Sequence, residues 1–197
     1  MARHPDTAPK ASPRHPRSPF VIDVSRLGRR PGAMISVHEQ RTSPTGIGLD
    51  LVAIPPGAAV DLDLRVESVS EGVLVTGTVA APTVGECSRC LNPLTGEIDV
   101  DLTELFAYPD STTDATTDDE MGRVSDDAVD LEQAIVDAVG LTLPLVPLCR
   151  PDCPGLCPDC GIALADAEPD HHHDKIDPRW AKLVGMAGPQ AADDGDR

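Results

Sequence analysis

Val60-Asp61-Leu62-Asp63-Leu64-Arg65-Val66-Glu67 sets the architecture of this chain. Four apolar residues alternate with four charged ones, the period of a strand with one face buried and one face wet. Ser70-Glu71-Gly72 supplies a turn, and Val73 to Val79 returns as a second strand, which predicts a hairpin. Val84 to Glu86 then leads into Cys87-Ser88-Arg89-Cys90. Asn92-Pro93 and Thr95-Gly96 turn the chain, and Ile98, Val100, Leu102 and Leu105 carry the next long strand outward. The first C-x2-C is therefore expected at a hairpin tip. Arg89 reads as a solvated loop residue, with an RNA contact as the alternative.

On the N-terminal side, Leu49 to Ile54 predicts a strand ended by Pro55-Pro56-Gly57. Residues 28–45 are polar and carry Gly and Pro, without a strand pattern. Phe20 to Val24 reads as a short strand. Residues 1–19 form a basic, Pro-rich arm expected to be disordered.

On the C-terminal side, residues 109–127 are rich in Asp, Thr and Ser and read as a mobile acidic loop. They are not an active site, because catalytic carboxylates need a scaffold that perturbs them. Asp130 is placed to cap a helix, with Gln133 at the capping-box position. Leu131, Ile135, Val136 and Val139 share its inner face, and Gly140 ends it. Leu143 to Leu148 is an extended apolar run that delivers the chain to Cys149. Asp177-Pro178 predicts a second short helix from Arg179 to about Met186, and residues 185–197 form a flexible tail.

The chain has 197 residues, which suits one domain, here 20–184, with mobile ends. Its four aromatic residues, Phe20, Phe106, Tyr108 and Trp180, leave the core to Val, Leu, Ile and Ala. A core this thin benefits from metal cross-links. The net charge is −17, unevenly spread. Residues 1–41 hold eight Lys/Arg against three acidic residues, a balance of +5, and the remainder holds eight against thirty, a balance of −22. An acidic body repels phosphate backbones and favours basic partners, of which ribosomal proteins are one class. The N-terminus lacks the apolar run of a signal peptide, and no stretch approaches the ~20 apolar residues of a membrane span. The expected location is the cytoplasm, with no membrane contact.

Thiols in that compartment stay reduced, so closely spaced cysteines read as metal ligands before disulfides. Six cysteines form a C-x2-C at Cys87 and Cys90 and a C-x3-C-x3-C-x2-C at Cys149, Cys153, Cys157 and Cys160. Two intervening residues let both sulfurs reach one tetrahedral ion from a single turn, and Gly161 permits the open backbone that follows. Four ligands drawn only from 149–160 would make closure around one ion tight, so two sites fit better. Cys87 and Cys90 pair with Cys149 and Cys153. Cys157 and Cys160 pair with His171 and His173, inside the Cys/His-rich segment 149–173; the alternative for these histidines is a solvated His/Asp-rich loop. The cofactor expected is zinc, one or two ions, in closed structural sites. No Gly-rich phosphate loop and no Ser/His/Asp or Cys/His catalytic pattern is present, so the chain is not expected to be an enzyme. The fold class that emerges is α+β: a small antiparallel sheet of hairpins, one or two short helices, zinc-knuckle segments and disordered termini.

Several stretches together resemble the YceD family of large ribosomal RNA subunit accumulation proteins. They are Gly72 to Gly77, Glu86-Cys87-Ser88-Arg89-Cys90-Leu91, Leu143-Pro144-Leu145, the run from Cys149 to Gly161, and Ile176-Asp177-Pro178-Arg179-Trp180-Ala181-Lys182-Leu183. The resemblance spans roughly residues 20–184. Many relatives carry a C-x-C where this chain has His171-His172-His173. The resemblance implies a part in accumulation, processing or assembly of large-subunit ribosomal RNA. The partners would be basic ribosomal or assembly proteins, with the RNA bound directly or indirectly. A zinc-stabilised adaptor unrelated to ribosomes and a thiol redox protein are the competing readings.

Overall fold

The structure, a computed structural model, describes residues 18–111, 122–173 and 179. Among these, eight strands and one helix follow in order: β1 (Val21–Asp23), β2 (Met34–Thr42), β3 (Ile47–Gly48), β4 (Val52–Ile54), β5 (Ala59–Ser68), β6 (Gly72–Glu86), β7 (Pro93–Ala107), β8 (Ala128–Asp130) and α1 (Glu132–Thr142). The class is α+β, and every strand pairing is antiparallel.

The expected hairpin is the centre of the molecule. Leu62 faces Val79, Leu64 faces Gly77 and Val66 faces Val75 across β5 and β6. Val60, Leu62, Leu64 and Val66 are all buried, as their alternation requires. Each such side chain contributes about 1.5–3 kcal/mol by leaving water. Gly77 has φ 148°. A Cβ there would run into the Asp63 carbonyl of the neighbouring strand, so only glycine lets β5 and β6 approach so closely. β6 is long enough to hold two partners in turn on one edge, β5 and then β4. Its other edge pairs with β7 over the full length, from Gly72↔Ala107 to Glu86↔Pro93. β1 and β8 form a separate two-stranded ribbon. α1 packs against β7 and β3, with Ile135 and Val139 buried.

Several local expectations need correction. Residues 28–45 contain β2, which pairs with all of β5 but its last residue, from Met34↔Glu67 to Thr42↔Ala59. Its sequence lacks clean alternation because only Val37 is buried on this edge strand. β6 and β7 extend well beyond their apolar cores, and Thr95-Gly96 lies within β7. The acidic loop is shorter than 109–127. Val124 is buried, Arg123 bridges Ala107, and Ser125 bridges Ala128.

Leu131, not Asp130, occupies the N-cap of α1. The Asp130 carboxylate still accepts the Glu132 N–H at 3.0 Å, while Gln133 donates forward to Asp137 at 2.9 Å and forms no capping box. Val136 is 37% exposed, off the buried face. α1 continues through Gly140 to Thr142 and ends at extended Leu143, where Pro144 disfavours further helix. The run 143–148 is bent, with Leu143 buried and Leu145 and Val146 exposed. The terminal arm, the tail and the second predicted helix beyond Arg179 lie outside the described residues.

Three of the four aromatic residues belong to the main core. Phe20, Phe106 and Tyr108 are buried, and the Tyr108 hydroxyl shares a buried hydrogen bond of 2.8 Å with Ser68 Oγ. Arg29 lies 4.8 Å from the Tyr108 ring centroid and pairs with Asp110 at 3.0 Å.

Candidate metal centre

The loop joining β6 to β7 is a knuckle. The Cys87 N–H donates to the Asn92 carbonyl and the Leu91 N–H donates to the Cys87 carbonyl, both at 2.9 Å. Residues 157–162 repeat the same pattern. The Cys157 N–H donates to Ile162 O at 2.8 Å and the Gly161 N–H to Cys157 O at 2.9 Å. The residue after the second cysteine must turn left-handed. Gly161 does so at φ 75°, and Leu91 does so at φ 59°. A non-glycine residue in that region costs roughly 1–2 kcal/mol. The sequence signals the turn in the second knuckle through its glycine and conceals it in the first.

The segment after α1 brings the other ligands. The Ser88 N–H donates to the Pro147 carbonyl at 2.9 Å, holding the hairpin tip to the chain just before Cys149. Cys87 Sγ then lies 3.8 Å from Cys153 Sγ, and Cys90 Sγ lies 3.6 Å from Cys149 Sγ. The ligand atoms of Cys87, Cys90, Cys149 and Cys153 all lie within 4.8 Å of one another. Cys87, Cys90 and Cys153 are buried beside Leu94, Leu148 and Leu156, while Cys149 is exposed.

The second group gathers Cys157, Cys160, His171 and His173, again within 4.8 Å. Cys160 Sγ is 3.6 Å from His171 Nε2 and 3.3 Å from His173 Nε2, and the two imidazole nitrogens are 3.2 Å apart. The His171 and His173 rings meet edge to face at 4.7 Å. His172 points elsewhere, its Nδ1–H donating to the Asp170 carbonyl at 2.6 Å. Both four-residue groups are those expected from the spacing.

These separations test the fit to an ion. With Zn–S near 2.3 Å and Zn–N near 2.05 Å, a tetrahedral site has edges of about 3.8 Å between sulfurs, about 3.6 Å between sulfur and nitrogen and about 3.4 Å between nitrogens. The distances above match each class of edge. A disulfide needs sulfurs at about 2.05 Å, and all six cysteines are free. The backbone also favours thiolate. The amide N–H of Cys90 draws the Cys87 thiol down to about 6, and the amide N–H of Cys160 does the same for Cys157, also to about 6. Sharing a hydrogen bond with Cys153 pushes the Cys149 thiol up to about 12. One charge is thus readily available in each group, and a divalent cation would supply the field that ionises the rest.

Arg89 ties the hairpin tip to the segment after α1, within the first group. It is exposed in the loop, as expected, and its guanidinium also donates to the Cys153 carbonyl at 2.9 Å, which makes it a staple as well. Gly155, with φ 82°, lies against the Arg89 backbone, where a Cβ would stand 3.2 Å from Arg89 O. Beyond it, Leu156 bridges Ala163 and Leu164 donates to Gly155 O. Nothing in the sequence marks Arg89 for this role, because its acceptor is a backbone carbonyl far along the chain. Ser88 Oγ, between Cys87 and Cys90 in sequence, is buried without a hydrogen-bond partner among the described residues.

A family model described as large ribosomal RNA subunit accumulation protein YceD matches residues 75–186, from within β6 through both cysteine groups. The chain belongs to the YceD family. An uncharacterized protein of Mycobacterium tuberculosis is 68% identical over 179 residues, covering 90% of this chain and 86% of that protein. An uncharacterized protein of Mycobacterium leprae is 57% identical over 177 residues, covering 89% of this chain and 81% of that one. No solved structure matches the chain significantly. The YceD match encloses all eight candidate ligands.

Proposed function

We propose that this chain is a non-enzymatic, zinc-stabilised factor that supports accumulation of large-subunit ribosomal RNA, through its processing or its assembly with protein. YceD membership carries the ribosomal part of this reading. The tetrahedral spacing of the two ligand groups supports the metal part. Cys87, Cys90, Cys149 and Cys153 hold one ion, and Cys157, Cys160, His171 and His173 hold another. When bound, zinc supplies cross-links and no reaction step. The chain's own residues do the rest: the knuckle amides orient the thiolates, and Arg89 holds the hairpin tip against the Cys153 backbone.

The charge distribution supports protein partners for the folded body. Residues 42–197 carry eight Lys/Arg and thirty acidic residues, which disfavours contact with duplex phosphates and favours basic ribosomal or assembly proteins. No helix among the described residues is long and apolar enough to cross a membrane.

Gradient sedimentation tests the ribosomal reading. The protein should travel with large-subunit precursors, and its loss should lower large-subunit relative to small-subunit ribosomal RNA. Sedimentation only at the top of the gradient, with an unchanged rRNA ratio, would sink it. Metal analysis of protein purified without a His-tag tests the zinc reading. Two equivalents are expected, and six freely reactive thiols with no metal would refute it.

A further inference from the structure

Among the described residues, the long strand β7 is paired along one side only, with β6, and its outer edge forms a backbone bridge only at Ala107, with Arg123. Along that open edge runs a groove of about 570 Å³. One side is lined by six consecutive β7 residues, Leu94 to Asp99, and the other by residues of the post-helical stretch 142–148. Val52, Thr83 and Ile98 also line it, where it reaches the inner side of the sheet.

We propose that this groove takes up an extended, basic segment of a partner protein as an added strand on the edge of β7. An unpaired edge offers a row of backbone donors and acceptors, the usual template for strand addition. Six residues of strand span about 20 Å, so the groove suits a segment of about six residues. Chemical preference follows from the lining. Glu97 and Asp99 are its charged residues, and among the described residues no Lys, Arg or His lines it. Asp101, Asp61 and Asp63 continue the same acidic sheet face, with Asp61 and Asp99 both opposite Ala80, and Asp63 and Asp101 both opposite Thr78. Val146, 63% exposed, offers an apolar contact facing the strand. A segment alternating basic and apolar side chains matches both features, one set toward the carboxylates and the other toward Val146 and Ile98.

The groove also adjoins the first ligand group. Leu94 and Leu148 line the groove and pack on the buried thiols. The Ser88–Pro147 hydrogen bond ties the two walls at that end. A closed first site therefore sets the width of the groove. This inference rests on the reading that the acidic body engages basic protein partners.

The test uses full-length protein as purified and a fluorescent octapeptide alternating lysine and valine. A glutamate–valine octapeptide and an alternately N-methylated lysine–valine octapeptide serve as controls. Saturable binding of the first peptide, with no binding of either control, is expected. Glu97→Lys with Asp99→Lys should weaken it at least about tenfold and reduce its salt dependence, as expected for reversal of two exposed charges. Val146→Asp should weaken it independently; both sites are exposed, and a circular dichroism spectrum checks that each variant is folded. Equal binding by all variants, or by the N-methylated peptide, overturns the proposal. Binding that emerges only after deletion of residues 1–17 assigns the groove to the chain's own arm, and dimerisation abolished by Val146→Asp without peptide binding assigns it to a second copy. Either overturns the proposal too. Sedimentation of these variants with large-subunit precursors separates the two ideas: if they still co-sediment while the peptide fails to bind wild type, the groove proposal is wrong and the ribosomal reading stands.

Discussion

Cys87→Ser and Cys153→Ser should each destabilise the protein by about the same amount, and the double variant should cost hardly more than either. Their sulfurs are 3.8 Å apart although the residues are 66 positions apart in the chain. A metal holding both restricts the unfolded chain much as a covalent link would. Closing a loop of that length removes chain entropy worth about 4 kcal/mol at 25 °C. Breaking either ligand opens the loop, so each single change should cost about 4 kcal/mol. The double change should also cost about 4 kcal/mol, not about 8, which leaves a coupling of about 4 kcal/mol in a double-mutant cycle. Cys160→Ser opens a second, shorter closure, from Cys160 to His171, 11 positions apart, worth about 3 kcal/mol. Combined with Cys153→Ser it should add, for about 7 kcal/mol. Urea unfolding at fixed free zinc measures this. With a slope of about 2 kcal/mol/M, the Cys87→Ser midpoint should fall by about 2 M. Chelator should lower wild type at least as far. Additive costs for Cys87 and Cys153, or strong coupling between Cys153 and Cys160, would show that the ligands are partitioned differently.

Four further outcomes follow from the same geometry. Leu91→Gly should raise stability by up to about 1 kcal/mol by relieving the left-handed backbone of a residue that is 55% exposed; Gly161→Leu should lower it by about 1–2 kcal/mol, and thermal unfolding of both variants checks the pair. His171→Ala with His173→Ala should release one equivalent of zinc and leave the other, and in wild type that same equivalent should leave first as pH falls toward 6, because a ligating imidazole must be unprotonated; metal release followed with a chromophoric chelator decides both. In metal-stripped protein, the lowered thiols of Cys87 and Cys157 contribute stability that is full above the ordinary thiol range near pH 9 and is lost as pH falls through about 6; a urea midpoint that does not fall across that window would refute the amide–thiolate contacts. Deleting residues 1–19 should remove most RNA binding by the isolated protein and flatten its salt dependence by about one unit of slope for each phosphate the arm neutralises, while binding of a basic protein partner persists; equal slopes for full-length and truncated protein would reveal an RNA site on the folded body.

The central hairpin and the grouping of the candidate ligands are legible in the sequence. Alternation from Val60 to Val66 leaves one face buried whatever the rest of the fold does. The C-x2-C spacing brings two sulfurs together through a local turn, and too few residues separate Cys153 from Cys157 to close comfortably around one ion. Both signals are local, so they survive without knowledge of the tertiary fold. Other features arise only when the chain is folded. β2 is a strand because β5 offers it an edge, although its own residues show only Val37 buried. Val136 is turned off the buried face because α1 lies against β7 and β3 at one particular rotation. Arg89 becomes a staple through a carbonyl 64 residues away. Leu91 is held left-handed because the knuckle closes around it, with the Cys87 and Asn92 backbones fixed by the hairpin. The groove beside β7 exists because the chain after α1 is anchored at Pro147 and Cys149 to the hairpin tip. Each of these depends on contacts between residues distant in sequence, which composition, periodicity and spacing do not encode.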